Sequence, residues 1–329
     1  MDQAAAAAYI QTQLDRSNYI NLVSFTILYY DYALTFSMEV ERFWCTRSLS
    51  WASAFFYLNR YLVLFGHIPV MVQYYWDTQR SDSEKLPGRI TTELNSITPF
   101  RCSALSLSHQ YFAVAIQVIV GILLIMRTYA LYGRKTWVLL CLCTCALAVI
   151  VYGAWSVISG HRSKGPSIFP KVGCVPPTND FAAKRLATAW IGNLVFDFLI
   201  FSMTVYKSFG RDRRGRPLLN ILIRDGAVYF AIMVIAGLAN ILSFYLSPEY
   251  ERGFFTTFAN IVSSTMMSRL MLNLRDPRLS APHSEARLLT TLRFHHWSDT
   301  SDATTLRVVY NLYSLILVFF GGCLHTFLT

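Results

Sequence analysis

Three stretches of this chain, Cys102 to Met126, Thr136 to Gly160 and Gly226 to Pro248, contain no Asp, Glu, Lys or Arg. Each exceeds the roughly 20 residues that a helix rising about 1.5 Å per residue needs to cross about 30 Å of hydrocarbon. A water-soluble fold cannot cover its surface from such segments. The composition agrees, with 54% hydrophobic and only 15% charged residues, where soluble domains average about 25% charged. The net charge of +10 sits in loops between apolar spans, which is the membrane pattern and argues against a nucleic-acid partner.

Hydropathy and turn residues predict seven spans: Tyr19 to Met38, Ala52 to Trp76, Ser103 to Arg127, Trp137 to Ser159, Leu186 to Tyr206, Leu222 to Leu246 and Phe254 to Leu274. Pro69 predicts a kink in the second span, and Gly133 a helix stop after the third. Polar loops are expected over Asp77 to Arg101 and His161 to Ala183. The fold class is therefore an all-α polytopic bundle over residues 19–275. Residues 1–18 form an outer segment, and residues 276–305 a disordered polar tail. The apolar residues 306–329 are an eighth span, a helix lying on the membrane, or a sequence from an incorrect gene model. Residues 1–18 lack the basic start and apolar core of a signal peptide, so the first span is expected to act as the insertion signal.

Basic residues concentrate after spans three (Arg127, Arg134, Lys135), five (Lys207, Arg211, Arg213, Arg214, Arg216) and seven (Arg275, Arg278, Arg287, Arg293). The bias places the N-terminus outside or in the lumen and the tail in the cytosol, in a plasma or internal membrane. Residues 207–216 then offer a basic surface to a cytosolic partner.

Tyr30-Asp31-Tyr32, Thr35, Glu39-Val40-Glu41, Trp44 and Asn59-Arg60-Tyr61 form one pattern. It resembles the N-terminal module, a domain of unknown function, of a large, mainly mushroom-type fungal family of multi-pass membrane proteins. Arg127-Thr128-Tyr129-Ala130-Leu131-Tyr132-Gly133 and Ser268-Arg269-Leu270 also look like family features, and residues 19–76 carry the module. The resemblance implies a seven-helix membrane protein and supplies no activity. The apolar run from Val308 departs from that family's polar tail.

An ionisable side chain at mid-span costs roughly 2.5–3.5 kcal/mol on insertion scales, so each one calls for a partner. Counted along the first two antiparallel spans, Asp31 and Arg60 fall at similar depth in the inner half, which predicts an Asp31–Arg60 ion pair. Asp31, Thr35 and Glu39 share a stripe at helical spacing. Asp197, one turn after Asn193, joins that polar layer or binds a proton or cation. Arg269 pairs there or snorkels to headgroups. A structural clamp is the plainer reading of this layer, and a switch or proton site the functional one.

In the outer half, His67, Tyr74, His109, Gln110, Gln117, Trp190, Asn193 and Asn260 have depths that would let them line a shared pocket for a small molecule. Each alone is more often an interhelical hydrogen bond. Cys102 and Cys174, both predicted outside, are a candidate disulfide, and Cys45, beside Arg42 and Arg47, a candidate for palmitoylation. Cys141, Cys143 and Cys145 alternate along one helix and point in different directions, unlike a zinc site.

The chain contains no P-loop, dinucleotide glycine motif, H-E-x-x-H or nucleophile elbow, so no catalytic residue, metal or cofactor is assigned and an enzyme is not expected. A receptor-like or sensory protein leads, on span count, orientation, cysteine placement and the basic loop. Met126 precedes Arg127 where the commonest receptor motif has an acid, and no lysine sits mid-span in helix seven to carry retinal. A transporter using Asp31, Arg60 and Asp197 ranks second, since neither an internal repeat nor a second mid-span proline beside Pro69 is evident.

Overall fold

The computed structural model describes residues 3–44, 50–75, 88–161, 178–209 and 217–275. They form seven helices: α1 (Gln3–Glu39), α2 (Trp51–Tyr75), α3 (Gly88–Leu131), α4 (Thr136–His161), α5 (Asp180–Phe209), α6 (Pro217–Leu246) and α7 (Thr256–Leu274). A π-helical turn, Val40–Trp44, continues α1. No strand occurs among the described residues. The chain up to Asn273 is one compact unit, and Leu274–Thr329 a second. The expected tail at 276–305 and the apolar run at 306–329 lie outside the described residues.

Several expected boundaries move. α1 begins at Gln3 instead of Tyr19, and Gln13, Leu14 and Ser17 within it are buried. This part of the presumed outer segment therefore packs on the bundle. α3 reaches back to Gly88, so the second half of the expected loop at Asp77 to Arg101 is helical. Polarity marks contact with water, not irregular backbone. α2 runs on through Pro69 without a break. The stop at Gly133 is present: Gly133 has φ +68°, its N–H donates to Ala130 O, and the Arg134 N–H donates to Tyr129 O at 3.0 Å. That pair of bonds is the Schellman cap that satisfies the last carbonyls of a helix.

Among the described residues five helices are long and apolar enough to cross a membrane, over Trp51–Tyr75, Ala104–Leu131, Thr136–Ser159, Asp180–Lys207 and Gly226–Leu246. α1 and α7 fall short of that apolarity, and burial explains why. Every residue of α7 from Thr257 to Leu272 is buried. Its polar side chains bond to other helices: Ser268 to Asn59 of α2, Asn260 and Thr257 to Gln117 and His109 of α3, and Thr256 and Asn273 to Asn240 and Tyr229 of α6. α1 turns Gln13, Ser17, Asn21, Ser24, Asp31, Thr35 and Glu39, all buried, along one helical stripe toward the bundle. Both helices still run its full length. Near one end, Arg16 of α1 meets Glu251 between α6 and α7, and at the other Arg42 donates to the carbonyl of Leu272 at 2.8 Å. α4 is the opposite case, with Trp137, Leu140, Leu147, Val151 and Trp155 exposed. An apolar helix surface of that kind is at home against acyl chains.

Candidate functional site

The bundle holds two polar assemblies, one toward each end. Near the turn after α1, Asp31 Oδ1 accepts from Arg269 Nε at 2.5 Å, while Arg60 Nε lies 2.6 Å from Glu39 Oε2. The expected Asp31–Arg60 pair is therefore corrected: Asp31 takes its arginine from α7, and Arg60 closes on Glu39 two turns further along α1. Arg60 Nη2 also donates to Thr35 Oγ1 at 2.7 Å and to the Tyr32 carbonyl at 3.3 Å, and its guanidinium lies over the Tyr32 ring. Glu39 Oε1 accepts from the Tyr61 hydroxyl at 2.9 Å and from Trp44 Nε1 at 3.2 Å. Asn59 of α2 donates to the Ser264 carbonyl and to Ser268 Oγ of α7. Two carboxylates and two guanidiniums thus neutralise one another, all buried, and tie α1, α2 and α7 together. Burying four charges is tolerable only with such pairing and added hydrogen bonds.

Toward the α6–α7 end lies a cavity of about 200 Å³. Six of the eight predicted pocket residues line it: Tyr74, His109, Gln110, Gln117, Trp190 and Asn193. The other two stand behind the wall. His67 donates from Nδ1 to the Val63 carbonyl at 2.7 Å and packs between Phe25 and Phe112. Asn260 Oδ1 accepts from Gln117 Nε2 at 2.7 Å. The amides form a chain, since Asn193 Nδ2 donates to Gln117 Oε1 at 3.3 Å and to Asp197 Oδ2 at 3.2 Å. Asp197 therefore belongs with this set and not with the Asp31 layer. The i, i+4 offset of Asn193 and Asp197 puts both on the α5 stripe that faces α3. Thr257 Oγ1 and His109 Nε2 lie 3.3 Å apart, and the Tyr74 and His109 rings meet edge to face.

The cavity mouth is built from residues that sequence reasoning did not single out. Thr178, Arg252, Gly253 and Thr256 line it. Arg252 donates to the Thr178 carbonyl at 2.8 Å and pairs with Asp180 at the start of α5, while the Thr178 N–H donates to the Glu249 carbonyl. Glu251 Oε1 faces Arg16 Nε at 3.1 Å. Burial pushes the Glu251 carboxyl above its ordinary range, although Arg16 pulls the other way. Gly253, at φ +76°, lets the backbone turn under the Phe244 ring. A lone arginine beside a Gly and two acids between predicted spans is the only trace of this cap in the sequence.

Other expectations fall elsewhere. Of Cys102 only the backbone is described, and Cys174, Cys45 and most of the basic loop at 207–216 lie outside the described residues. Cys141, Cys143 and Cys145 are free thiols. Among the described residues no His, Cys, Asp and Glu come together as a metal-binding group.

Residues 19–65 match the model of a family of unknown function (DUF6533). That match spans Asp31, Glu39 and Arg60 of the ion-paired layer, and stops short of the residues that line the cavity. No curated protein matches the chain, and no solved structure does. The chain is a polytopic helical membrane protein that carries, on α1 and α2, a stretch similar to this domain of unknown function.

Proposed function

We propose that the protein is a receptor-like membrane protein that binds a small organic molecule between its helices. The observation that carries this reading is the cavity toward the α6–α7 end. Its walls are mostly apolar and aromatic, and a few polar groups, Gln110, Gln117, Asn193 and His109, converge on it. Concave, largely apolar sites with a small number of placed hydrogen-bonding groups are how proteins bind small molecules. The opposite end supports binding over transport. There the Asp31–Arg269 and Arg60–Glu39 pairs tie three helices together, so a transport cycle would have to break them or move α1, α2 and α7 as one body.

The test is a thermal-shift screen of the full chain, purified in detergent, against lipids, sterols and small volatile organics, with pH and cations varied in parallel. A saturable stabilisation by an organic compound is expected, and it should disappear in Gly153→Leu and Val149→Phe. Both residues line the cavity, and a Cβ added at Gly153 meets nothing within 4 Å. Shifts driven by ions or pH alone, with solute uptake into proteoliposomes, would move the assignment to a transporter.

A further inference from the structure

We infer that the ligand of this cavity is an uncharged single-chain amphipath, a hydrocarbon chain ending in a hydroxyl, carbonyl or ester oxygen, and that Gln110 and Trp190 hold that oxygen. The inference rests on the cavity being a ligand site, as proposed above, and goes on to name the class of ligand.

The wall itself decides the charge. Among the described residues that line the cavity, Arg252 is the only Asp, Glu, Lys or Arg. It stands at the mouth and is already engaged by Asp180 and by the Thr178 carbonyl. An ionic head drawn inside would leave water without meeting an opposite charge, which is costly. An uncharged head gives up only hydrogen bonds, and the wall can replace those.

The polar groups of the lining fall into two sets. Gln117 and Asn193 bond to each other, to Asn260 and to Asp197. Thr256 bonds to Asn240, and His109 meets Thr257. The side chains of Ser106, Gln110 and Trp190 also line the cavity, yet they form no hydrogen bond with the protein among the described residues. Ser106 and Gln110 are one turn apart on α3, and Trp190 sits on α5 beside Ala187 and Phe244. Polar groups left without protein partners on a concave wall are the ones a ligand can satisfy. An indole N–H only donates, whereas an amide donates and accepts. The group that suits both is an acceptor oxygen.

The shape of the cavity supplies the rest. Inward of Gln117 the lining turns apolar, through Val118, Ile122 and Ile125 of α3, Ala146 and Ile150 of α4, and Phe196 of α5. From Gln110 to Ile125 the wall follows α3 for about 22 Å at about 1.5 Å per residue. A volume of about 200 Å³ drawn out over that length is narrow, and it suits one flexible chain better than a fused ring system. The oxygen then lies toward Gln110 and Trp190, and the hydrocarbon toward Ile125.

Single-chain detergents share this architecture, so the test uses the full chain in phosphatidylcholine nanodiscs. Alkane, 1-alkanol, methyl ketone, primary amine and carboxylate of one chain length are compared by melting temperature. Each is run on the parent and on Gly153→Leu, and the difference between the two removes effects of the probe on the bilayer. At neutral pH the alkanol and the ketone should stabilise the parent saturably, and the other three much less. Trp190→Phe and Gln110→Leu should each weaken the apparent alkanol affinity by about three- to tenfold, and either variant serves if the other does not fold. A 1-monoacylglycerol carries the same chemistry, and whether it or the free alkanol binds more tightly tells a ligand drawn from the bilayer from one dissolved in water. An amine or carboxylate that matches the alkanol, with both responses lost in Gly153→Leu, would overturn the uncharged head and leave the binding site standing. An alkane that matches the alkanol, or an alkanol response unchanged in both Trp190→Phe and Gln110→Leu, would overturn the held oxygen in the same way. If no probe shifts the parent more than it shifts Gly153→Leu, the site reading falls as well.

Discussion

Asp31 illustrates what a depth argument reaches and where it stops. Counting residues from a span boundary gives the height of a side chain in the membrane, and that height does bring Asp31 into an ionic layer with arginine. It says nothing of azimuth, the direction in which the side chain leaves its helix. α7 runs between the other helices and offers Arg269 on the side where Asp31 points, so Asp31 pairs with α7 and Arg60 with Glu39. A double-mutant cycle reads the pairing directly. Asp31→Asn with Arg269→Gln should be non-additive by at least about 1 kcal/mol, and Glu39→Gln with Arg60→Gln likewise. The cross pair Asp31→Asn with Arg60→Gln should couple more weakly than either. Each single truncation leaves a buried charge and should cost about 3–5 kcal/mol. Strong coupling in the cross pair and none with Arg269 would restore the sequence-based pairing. Glu251 poses a pH question at the same scale. Its folded-state pKa is raised above the ordinary 4.5 by burial. The folded protein therefore holds that proton more tightly than the unfolded chain does. The stability this provides is complete below 4.5 and is lost as pH rises through the raised value. Melting temperature followed upward from pH 4.5 should fall less steeply in Glu251→Gln than in the parent. Parallel curves would show that the carboxyl is not desolvated by the cap.

The turns that end the helices separate two uses of glycine. Gly133 closes α3 with φ +68°, and a Cβ there would meet nothing within 4 Å. Gly253 has φ +76° and lies against the Phe244 ring, so a Cβ there would collide with it. Gly133→Ala should therefore cost only the left-handed backbone penalty, about 1–2 kcal/mol. Gly253→Ala should cost that and more, because the ring must move, and it should disturb the cap that Arg252 and Thr178 make over the cavity. Equal losses of melting temperature in the two variants would remove the packing part of this account. The sequence showed the first glycine, since Gly133 precedes Arg134-Lys135 after a long apolar run. It did not show the second, whose partner Phe244 is on the preceding helix. The same limit governs the site. Six of the eight pocket residues were legible because polar side chains on an otherwise apolar helix must face other helices. His67 and Asn260 obey the same rule and still miss the cavity, since facing the interior is not the same as facing a space within it. Of the two alternatives the sequence left for Asp197, the Asp31 layer is not the one its bond to Asn193 supports.

For the molecule as a whole, one inversion accounts for both the success and the shortfall of hydropathy. The polar α7 is buried from Thr257 to Leu272 while the apolar α4 is the most outward-facing, so among the described residues five of the seven helices pass as spans on apolarity alone and α1 and α7 do not. What hydropathy detects is the surrounding hydrocarbon, and that can be tested at a single exposed position. Leu147, near the middle of α4, is 61% exposed. On a protein surface in water, Leu147→Lys would change stability by no more than about 0.5 kcal/mol. Against acyl chains the same change carries a lysine to the depth where it costs roughly 2.5–3.5 kcal/mol. The variant should therefore lose folded, membrane-extracted protein relative to the parent. Ala148, next on the helix, is exposed as well, and Ala148→Leu should be harmless. A Leu147→Lys protein recovered at parental yield with an unchanged melting temperature would mean that water, not lipid, lies against α4, and the outward-apolar bundle would have no physical reason to exist.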